Sequence, residues 1–168
     1  VAAYDEAGCA EVLSSMMSTI QVPTLRLNAL SLRPPFQRSD WDALLETLPV
    51  EVEADWRETT EARRSAEQTQ DTTYAVWSLF LVNLMHEAGV PLGAGTDTPI
   101  SFAAPGYSLH SELVMLVLPG LSPLEALDAA TVRPADSLGR PREIGTAEEG
   151  RLADLVLLSR NPLDDSPK

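Results

Sequence analysis

Asp97 has the strongest case for chemistry in this sequence, because of the residues around it. Residues 90–94 are apolar without alternation, which is typical of a strand buried in a parallel sheet. Gly95 leaves room for close backbone approach, and Pro99 prevents further regular pairing. Asp97 therefore lies where a strand gives way to a loop, the edge at which α/β folds bind ligands. A solvated turn aspartate that caps the next element explains the same pattern equally well.

The two histidines of the chain are weaker candidates. His110 is predicted in the first turn of a helix that follows the loop after Asp97, so it could face the same site. A surface role is the alternative. His86 is predicted in the last turn of another helix, where it would interact with the helix dipole. No second metal ligand stands at helical spacing from His86.

Composition excludes several classes of function. The net charge of −13 over 168 residues argues against nucleic acid and anionic membranes as partners. A single cysteine excludes an internal disulfide and a cysteine zinc cluster. No apolar run approaches the ~20 residues of a spanning helix, and no signal segment is recognisable. Cytoplasmic localisation is favoured, with periplasm and secretion left open because Val1 already looks like the middle of a helix, as in a fragment.

The elements that must position Asp97 are predicted from hydrophobic spacing. Strands are predicted over residues 20–27, 90–94 and 152–158. Helices are predicted over residues 1–19, from Ser39 to Pro49, from Thr60 to Gly89, and after the capping residues Ser108 and Ser122. The long helix is expected to bury a seam at Tyr74, Trp77, Leu81, Leu84 and Met85, and the helix after Ser108 to bury Leu109, Leu113, Leu116 and Val117.

Six segments also stand in a specific order. They are residues 23–25 (PTL), 88–99 (AGVPLGAGTDTP), 105–113 (PGYSLHSEL), 120–131 (GLSPLEALDAAT), 145–158 (GTAEEGRLADLVLL) and 161–163 (NPL). Together they resemble the carboxyl-terminal part of the amidohydrolase superfamily, in its imidazolonepropionase-like and prolidase-like branch. The resemblance covers nearly the whole chain and is best from Leu84 onward.

The resemblance implies an α/β fold: the C-terminal part of a (β/α)8 TIM-like barrel with a short piece of the flanking β-sandwich. Residues 20–27 would be strand 7 and residues 90–96 strand 8. Residues 1–141 would belong to the barrel. Residues 142–168 would be the C-terminal strands of the small β-sandwich domain, whose other strands come from the amino-terminal end of such enzymes.

The resemblance also implies a role for Asp97 as metal ligand and proton shuttle. The metal would be a divalent ion, zinc by preference, with one or two ions in the complete enzyme. Such an ion lowers the pKa of bound water toward ~7 and polarises a carbonyl, while a nearby carboxylate carries the proton to the leaving amine. The substrate would be a small amide: peptide-like, an N-acyl amino acid or a cyclic amide. His110 and Thr98 are expected to shape the substrate pocket.

The family's remaining metal ligands have no counterpart here. A His-x-His pair on the first strand, a lysine or glutamate on the fourth and histidines on the fifth and sixth are all missing. A full barrel takes roughly 250 residues. We therefore expect the chain alone to be an inactive fragment whose natural partner is the missing N-terminal part of the same enzyme. Exposed strand edges would also favour pairing into a homo-oligomer.

Two other interpretations fit the sequence. The chain could be a non-catalytic acidic α/β scaffold or partner-binding remnant, which would carry no metal. It could also be an unrelated α/β enzyme that uses Asp97 as a simple base. In that case Asp97→Asn would remove activity without removing metal.

Overall fold

The computed structural model describes residues 4–65, 71–100 and 102–163, and within them the chain is largely helical. In order, the helices are α1 (Glu6–Met16), α2 (Leu25–Asn28), α3 (Trp41–Leu45), α4 (Val50–Ser65), α5 (Thr73–Glu87), α6 (Tyr107–Val117), α7 (Pro123–Ala130) and α8 (Val132–Ser137). A 3₁₀ turn, Pro35–Gln37, precedes α3.

The segments predicted as adjacent strands meet at a single parallel bridge between Gln21 and Leu92. The prediction of a strand over residues 20–27 is wrong from Leu25 onward, where α2 begins. Pro23 lacks a backbone donor, and Thr24 takes a left-handed conformation with φ of 49°. The chain therefore turns out of the extended conformation before residue 25.

The predicted strand over residues 152–158 is not formed in the described structure. This stretch has no regular secondary structure and is exposed, with Val156 84% and Leu157 100% accessible. Strands need neighbours to pair with, and among the described residues this segment forms no β-bridge and has one backbone hydrogen bond, from the N–H of Leu152 to the carbonyl of Glu143 at 2.8 Å.

The helical region after Pro49 differs from its prediction. Instead of one helix from Thr60, α4 begins at Val50, and α5 begins separately at Thr73. Residues 66–70, within the predicted helix, lie outside the described part. The predicted seam of α5 is wrong at Tyr74 and Leu81, which are exposed, while Ala75 and Val82 are buried. Met85 of the predicted seam does pack against the core. Because α5 is apolar on most of its circumference, its sequence spacing does not identify one inward face.

The main core joins α2, α5, α6 and α7 around the bridged segments. Its buried members are Leu25, Ala29, Ala75, Val82, Leu92, Met115, Leu116, Leu121, Ala126 and Ala129. The predicted start of α7 is confirmed: Ser122 and Glu125 form a reciprocal capping box, and Pro123 is the first helical residue. In the last turn of α5, Nε2 of His86 lies 3.2 Å from Oε1 of Glu125.

A second apolar cluster lies on residues 34–65 and the loop after Asp97. Its buried members are Phe36, Trp41, Leu44, Leu45, Phe102 and Ala104. Trp41 stacks on Trp56 with ring centroids 5.8 Å apart, and the rings of Phe102 and Trp41 are nearly perpendicular with centroids 5.5 Å apart. The cluster thus ties residues 34–65 to the loop that carries Asp97. Among the described residues, no helix combines the length and hydropathy needed to cross a membrane.

Candidate functional site

The two bridged segments set the position of Asp97. The backbone N–H of Gln21 donates to the carbonyl of Pro91 at 2.9 Å, and the N–H of Gly93 donates to the carbonyl of Gln21 at 2.8 Å. Parallel pairing directs both segments toward the same edge. Beyond the bridge, the first segment therefore leads into α2 and the second into Asp97.

Two glycines lie where these segments touch. A Cβ at Gly95 would overlap Cγ1 of Val22, and one at Gly93 would lie 3.0 Å from Cγ2 of Ile20. The absence of side chains at both positions allows residues 20–22 to lie directly against residues 93–95. This is the close approach that the sequence predicted at Gly95.

Asp97 is exposed and has φ of 51°, in the left-handed region. Its carbonyl accepts the N–H of Ile100 at 3.0 Å, which closes a tight turn. Asparagine and aspartate tolerate this conformation better than other non-glycine residues. Thr98 lies next to it and is also exposed, with its Oγ1 2.8 Å from Oγ1 of Thr96. The turn therefore presents the Asp97 carboxylate to solvent.

Arg26 connects this turn to the core. One guanidinium nitrogen donates to the carbonyl of Ile100 at 2.8 Å, and the side chain is 6% accessible. Burial lowers the pKa of Arg26, while the negative charges of Glu112 and Asp97 act to raise it. A buried arginine thus lies within electrostatic reach of both carboxylates.

Glu112 is the fully buried carboxylate of this region. Its Oε1 accepts the backbone N–H of Leu25 at 3.0 Å, and its Oε2 accepts that of Arg26 at 2.6 Å. Burial raises the pKa of Glu112 to about 7, although both backbone donors and the charge of Arg26 act to lower it. Glu112 on α6 therefore satisfies the first N–H groups of α2.

His110 lies in the first turn of α6 and is exposed. Among the described residues it has no hydrogen bond or ion pair, so nothing links it to Asp97. The buried face predicted for α6 is confirmed at Leu116, which is buried, and at Leu113 and Val117, which pack half-buried against the core, but it is wrong at Leu109, which is exposed. Ser108, Glu112 and Met115 are buried as well. The roles of Asp97, His110 and Thr98 stay predictions.

The described residues contain no group of three histidine, cysteine, aspartate or glutamate side chains able to hold a metal ion. Asp97 offers one carboxylate, and a protein zinc site uses three or four ligands. The residues described here therefore do not fit a complete metal site, and any such site needs further ligands.

A cavity of about 580 Å³ opens beside Arg26, between residues 33–40 and α6. Its walls combine arginine, serine and apolar side chains, from Arg26, Ala29, Arg33, Pro34, Pro35, Gln37, Arg38, Ser39, Asp40, Phe102, Ser108, Ser111, Val114 and Met115. Phe102 comes from the loop that follows Asp97, so the cavity borders that loop.

Sequence reasoning missed Arg26, Arg38, Phe102 and the burial of Glu112. One signal was available for Glu112, since it has the helical spacing of Ser108, Met115 and Leu116 on one face of α6. The arginines left no comparable signal, because an exposed arginine and a cavity arginine look alike in sequence.

Comparisons with known proteins identify the family of the chain. The sequence profile of the amidohydrolase family matches residues 79–167, more than half of the chain. The chain belongs to the amidohydrolase family.

Its similarity to particular members is partial. It is 38% identical over 74 residues to an imidazolonepropionase of Geobacillus kaustophilus, covering 44% of this chain and 17% of that protein. It is 41% identical over 81 residues to an ochratoxinase of Aspergillus niger, and the match covers 47% of this chain and 16% of that protein. It is 33% identical over 94 residues to an N-substituted formamide deformylase of Arthrobacter pascens, and the match covers 51% of this chain and 17% of that protein. The matched parts are thus about a sixth of each relative.

The fold is similar to part of a crystal structure of a Xaa-Pro dipeptidase with bound methionine in the active site. The TM-score is 0.63 at 21% sequence identity, and the match covers 92% of this chain and 32% of that one. At this identity the likeness concerns the fold alone.

Proposed function

We propose that this chain supplies part of the active site of a metal-dependent hydrolase that cleaves an amide-type C–N bond. The observation that carries the proposal is the exposed carboxylate of Asp97, presented by a turn directly after the bridged segment 90–94. Membership of the amidohydrolase family supports it. So does the name of one relative, an N-substituted formamide deformylase.

The substrate class follows from the same comparison. Deformylation of an N-substituted formamide is attack by water on a carbonyl carbon with departure of the nitrogen. We infer a small-molecule amide or dipeptide as substrate, with neither nucleic acid nor membrane as a partner. The acidic balance of 25 Asp and Glu against 12 Lys and Arg is consistent with this inference.

Asp97 is proposed as one ligand of a divalent ion, zinc by preference. When bound, such an ion would supply Lewis acidity and an activated water. An Asp97 oxygen would take a proton from the nucleophile and return it to the leaving nitrogen. The rigid turn at Asp97 and the anchored carbonyl of Ile100 limit the reach of this carboxylate, as proton transfer in a fixed geometry requires. Thr98 and His110 are retained as candidates for shaping the substrate pocket.

The remaining ligands are proposed to lie outside the chain. Residues 1–141 would contribute the last two strands of a (β/α)8 barrel, with residues 20–24 and 90–96 as strands 7 and 8. Residues 142–168 would join strands of a small β-sandwich, which would cover exposed Leu155, Val156 and Leu157. The isolated chain would then be inactive.

Metal content and hydrolysis test this function. The isolated 168-residue chain is compared with the longest polypeptide that its gene encodes, using elemental mass spectrometry and hydrolysis of N-acyl amino acids and dipeptides. We expect stoichiometric metal and hydrolysis only in the longer polypeptide. Asp97→Asn should lower its kcat by about 10²-fold or more. The exposed control Asp55→Asn, on α4, should leave it unchanged.

Each other outcome selects a different conclusion. Hydrolysis by the isolated chain would refute the claim that it is inactive. A longer polypeptide with neither metal nor activity indicates the non-catalytic scaffold. Loss of activity in Asp97→Asn with full metal content indicates a simple base, and full activity in that variant rejects the assignment of Asp97.

A further inference from the structure

Positive charge is concentrated in the cavity beside α6, against the trend of the whole molecule. The chain has only 12 Lys and Arg residues and a net charge of −13. Three of those residues, Arg26, Arg33 and Arg38, line the cavity, and Asp40 is the one acidic residue in its lining. A cavity lined in this way favours an anion over a cation or a neutral polar ligand.

Two of the three guanidinium groups are held by neighbours. Arg26 donates to the carbonyl of Ile100. Arg38 donates to both carboxylate oxygens of Asp40 at 3.0 and 2.8 Å and to Oγ of Ser111 at 3.1 Å, and its guanidinium lies 4.7 Å from the ring centroid of Tyr107. Both side chains are therefore fixed in place, and Asp40 balances the charge of Arg38.

Arg33 differs from them. It is exposed at the cavity and has no hydrogen bond or ion pair with any other described residue. Its planar guanidinium is therefore available to a ligand, and its geometry matches a carboxylate through two parallel hydrogen bonds. The guanidinium of Arg33 can balance the single charge of a monoanion. A dianion would bring a second negative charge, which the carboxylate of Asp40 would repel and no further available cation would balance.

The rest of the lining is apolar. Pro34, Phe102, Val114 and Met115 line the cavity. The ring of Phe102 also packs against Trp41 and Trp56. A volume of about 580 Å³ is within the usual range for small-molecule sites. A ligand that fits both Arg33 and the apolar lining has a carboxylate joined to an apolar group.

We propose that this cavity binds the carboxylate end of the substrate, with Arg33 pairing with the carboxylate and the wall of Pro34, Phe102 and Met115 accepting the apolar group beside it. The inference rests on the proposed function, in that it takes the ligand to be an amide substrate. Two wall residues relate the cavity to the turn at Asp97: Arg26 donates to the carbonyl of Ile100 at the end of that turn, and Phe102 follows it in the chain. The substrate class is thereby narrowed to N-acyl amino acids and peptides with a free carboxyl terminus.

Paired probes that differ only in charge test the proposal on the 168-residue chain. N-acetyl-L-leucine and N-acetyl-L-leucinamide are titrated in EDTA, with binding followed by amide chemical shifts. We expect the acid to bind about tenfold more tightly than the amide, equivalent to about 1.4 kcal/mol. Arg33→Gln should abolish the difference, and Arg33→Lys should retain part of it. Arg142→Gln, an exposed arginine that does not line the cavity, should retain all of it.

Three results would overturn the inference: equal affinity for acid and amide, unchanged selectivity in Arg33→Gln, or tighter binding of inorganic phosphate than of the acid. Because the titration needs neither metal nor turnover, it is independent of the test of Asp97. Normal selectivity without hydrolysis by the longer polypeptide counts against the proposed function alone. Hydrolysis without carboxylate selectivity counts against this inference alone.

Discussion

The carboxylate of Glu112 accepts the backbone N–H of Arg26 at 2.6 Å, and thereby joins α6 to the start of α2 across 86 residues of sequence. The side chain of Arg26 in turn donates to the carbonyl of Ile100. Three segments far apart in the chain are thus connected through one buried carboxylate and one buried guanidinium. The connection reaches the turn that presents Asp97 at the carbonyl of Ile100.

The first prediction concerns the pH dependence of stability. The pKa of Glu112 is raised from the ordinary 4.5 to about 7 in the folded chain, chiefly by burial. Between these values the folded state holds a proton that the unfolded state has lost. The stabilisation is therefore fully present below pH 4.5 and is lost as the pH rises through 7, by on the order of 3 kcal/mol.

Urea unfolding at pH 5 and pH 7.5, followed by tryptophan fluorescence, measures this effect. Glu112→Gln should remove most of the decline while costing about 1–3 kcal/mol at pH 5, because one backbone donor loses its acceptor. The exposed Glu87→Gln serves as control and should keep the wild-type decline. An undiminished decline in Glu112→Gln would show that another group causes it.

The second prediction concerns the contact of Gly95 with Val22. Gly95→Ala should lower the free energy of unfolding by about 1–3 kcal/mol, because the new methyl group overlaps Cγ1 of Val22. The double variant Val22→Ala/Gly95→Ala should recover most of the loss, since removing Cγ1 makes room for the methyl group. Thermal or urea unfolding of the two single variants and the double variant gives the coupling energy. Additive losses would argue against direct contact.

The third prediction concerns Phe102, whose ring lies 5.5 Å from Trp41 and 5.4 Å from Trp56 between centroids. Phe102→Ala should cost about 3–5 kcal/mol of stability. The emission of Trp41, now 1% accessible, should shift to longer wavelength as the cluster opens. Trypsin should also cut α4 at Arg57 or Arg63 faster, because Arg63 loses its contact with the ring of Phe102.

Tyr74→Ala is the matched control for this experiment, since Tyr74 is an aromatic residue of α5 that is 67% exposed. It should leave both tryptophan emission and cleavage of α4 close to wild type. Equal effects of the two substitutions would show that the Phe102 cluster does not hold α4 in place.

The sequence alone determined the local features whose causes are local. The capping box at Ser122 was predictable because its donors and acceptors lie within four residues. The turn at Asp97 was predictable because an apolar run ends there between Gly95 and Pro99. Family membership was predictable because the ordered segments are themselves sequence.

Only the tertiary structure decided which faces became buried and where extended chain became helix. Leu25–Asn28 is helical because Glu112, distant in sequence, satisfies its first N–H groups. The inward faces of α5 and α6 depend on which neighbours they meet, and both helices have apolar residues on several sides. The arginine-lined cavity was likewise hidden from the sequence, because α2, residues 33–40 and α6 form it only when packed together.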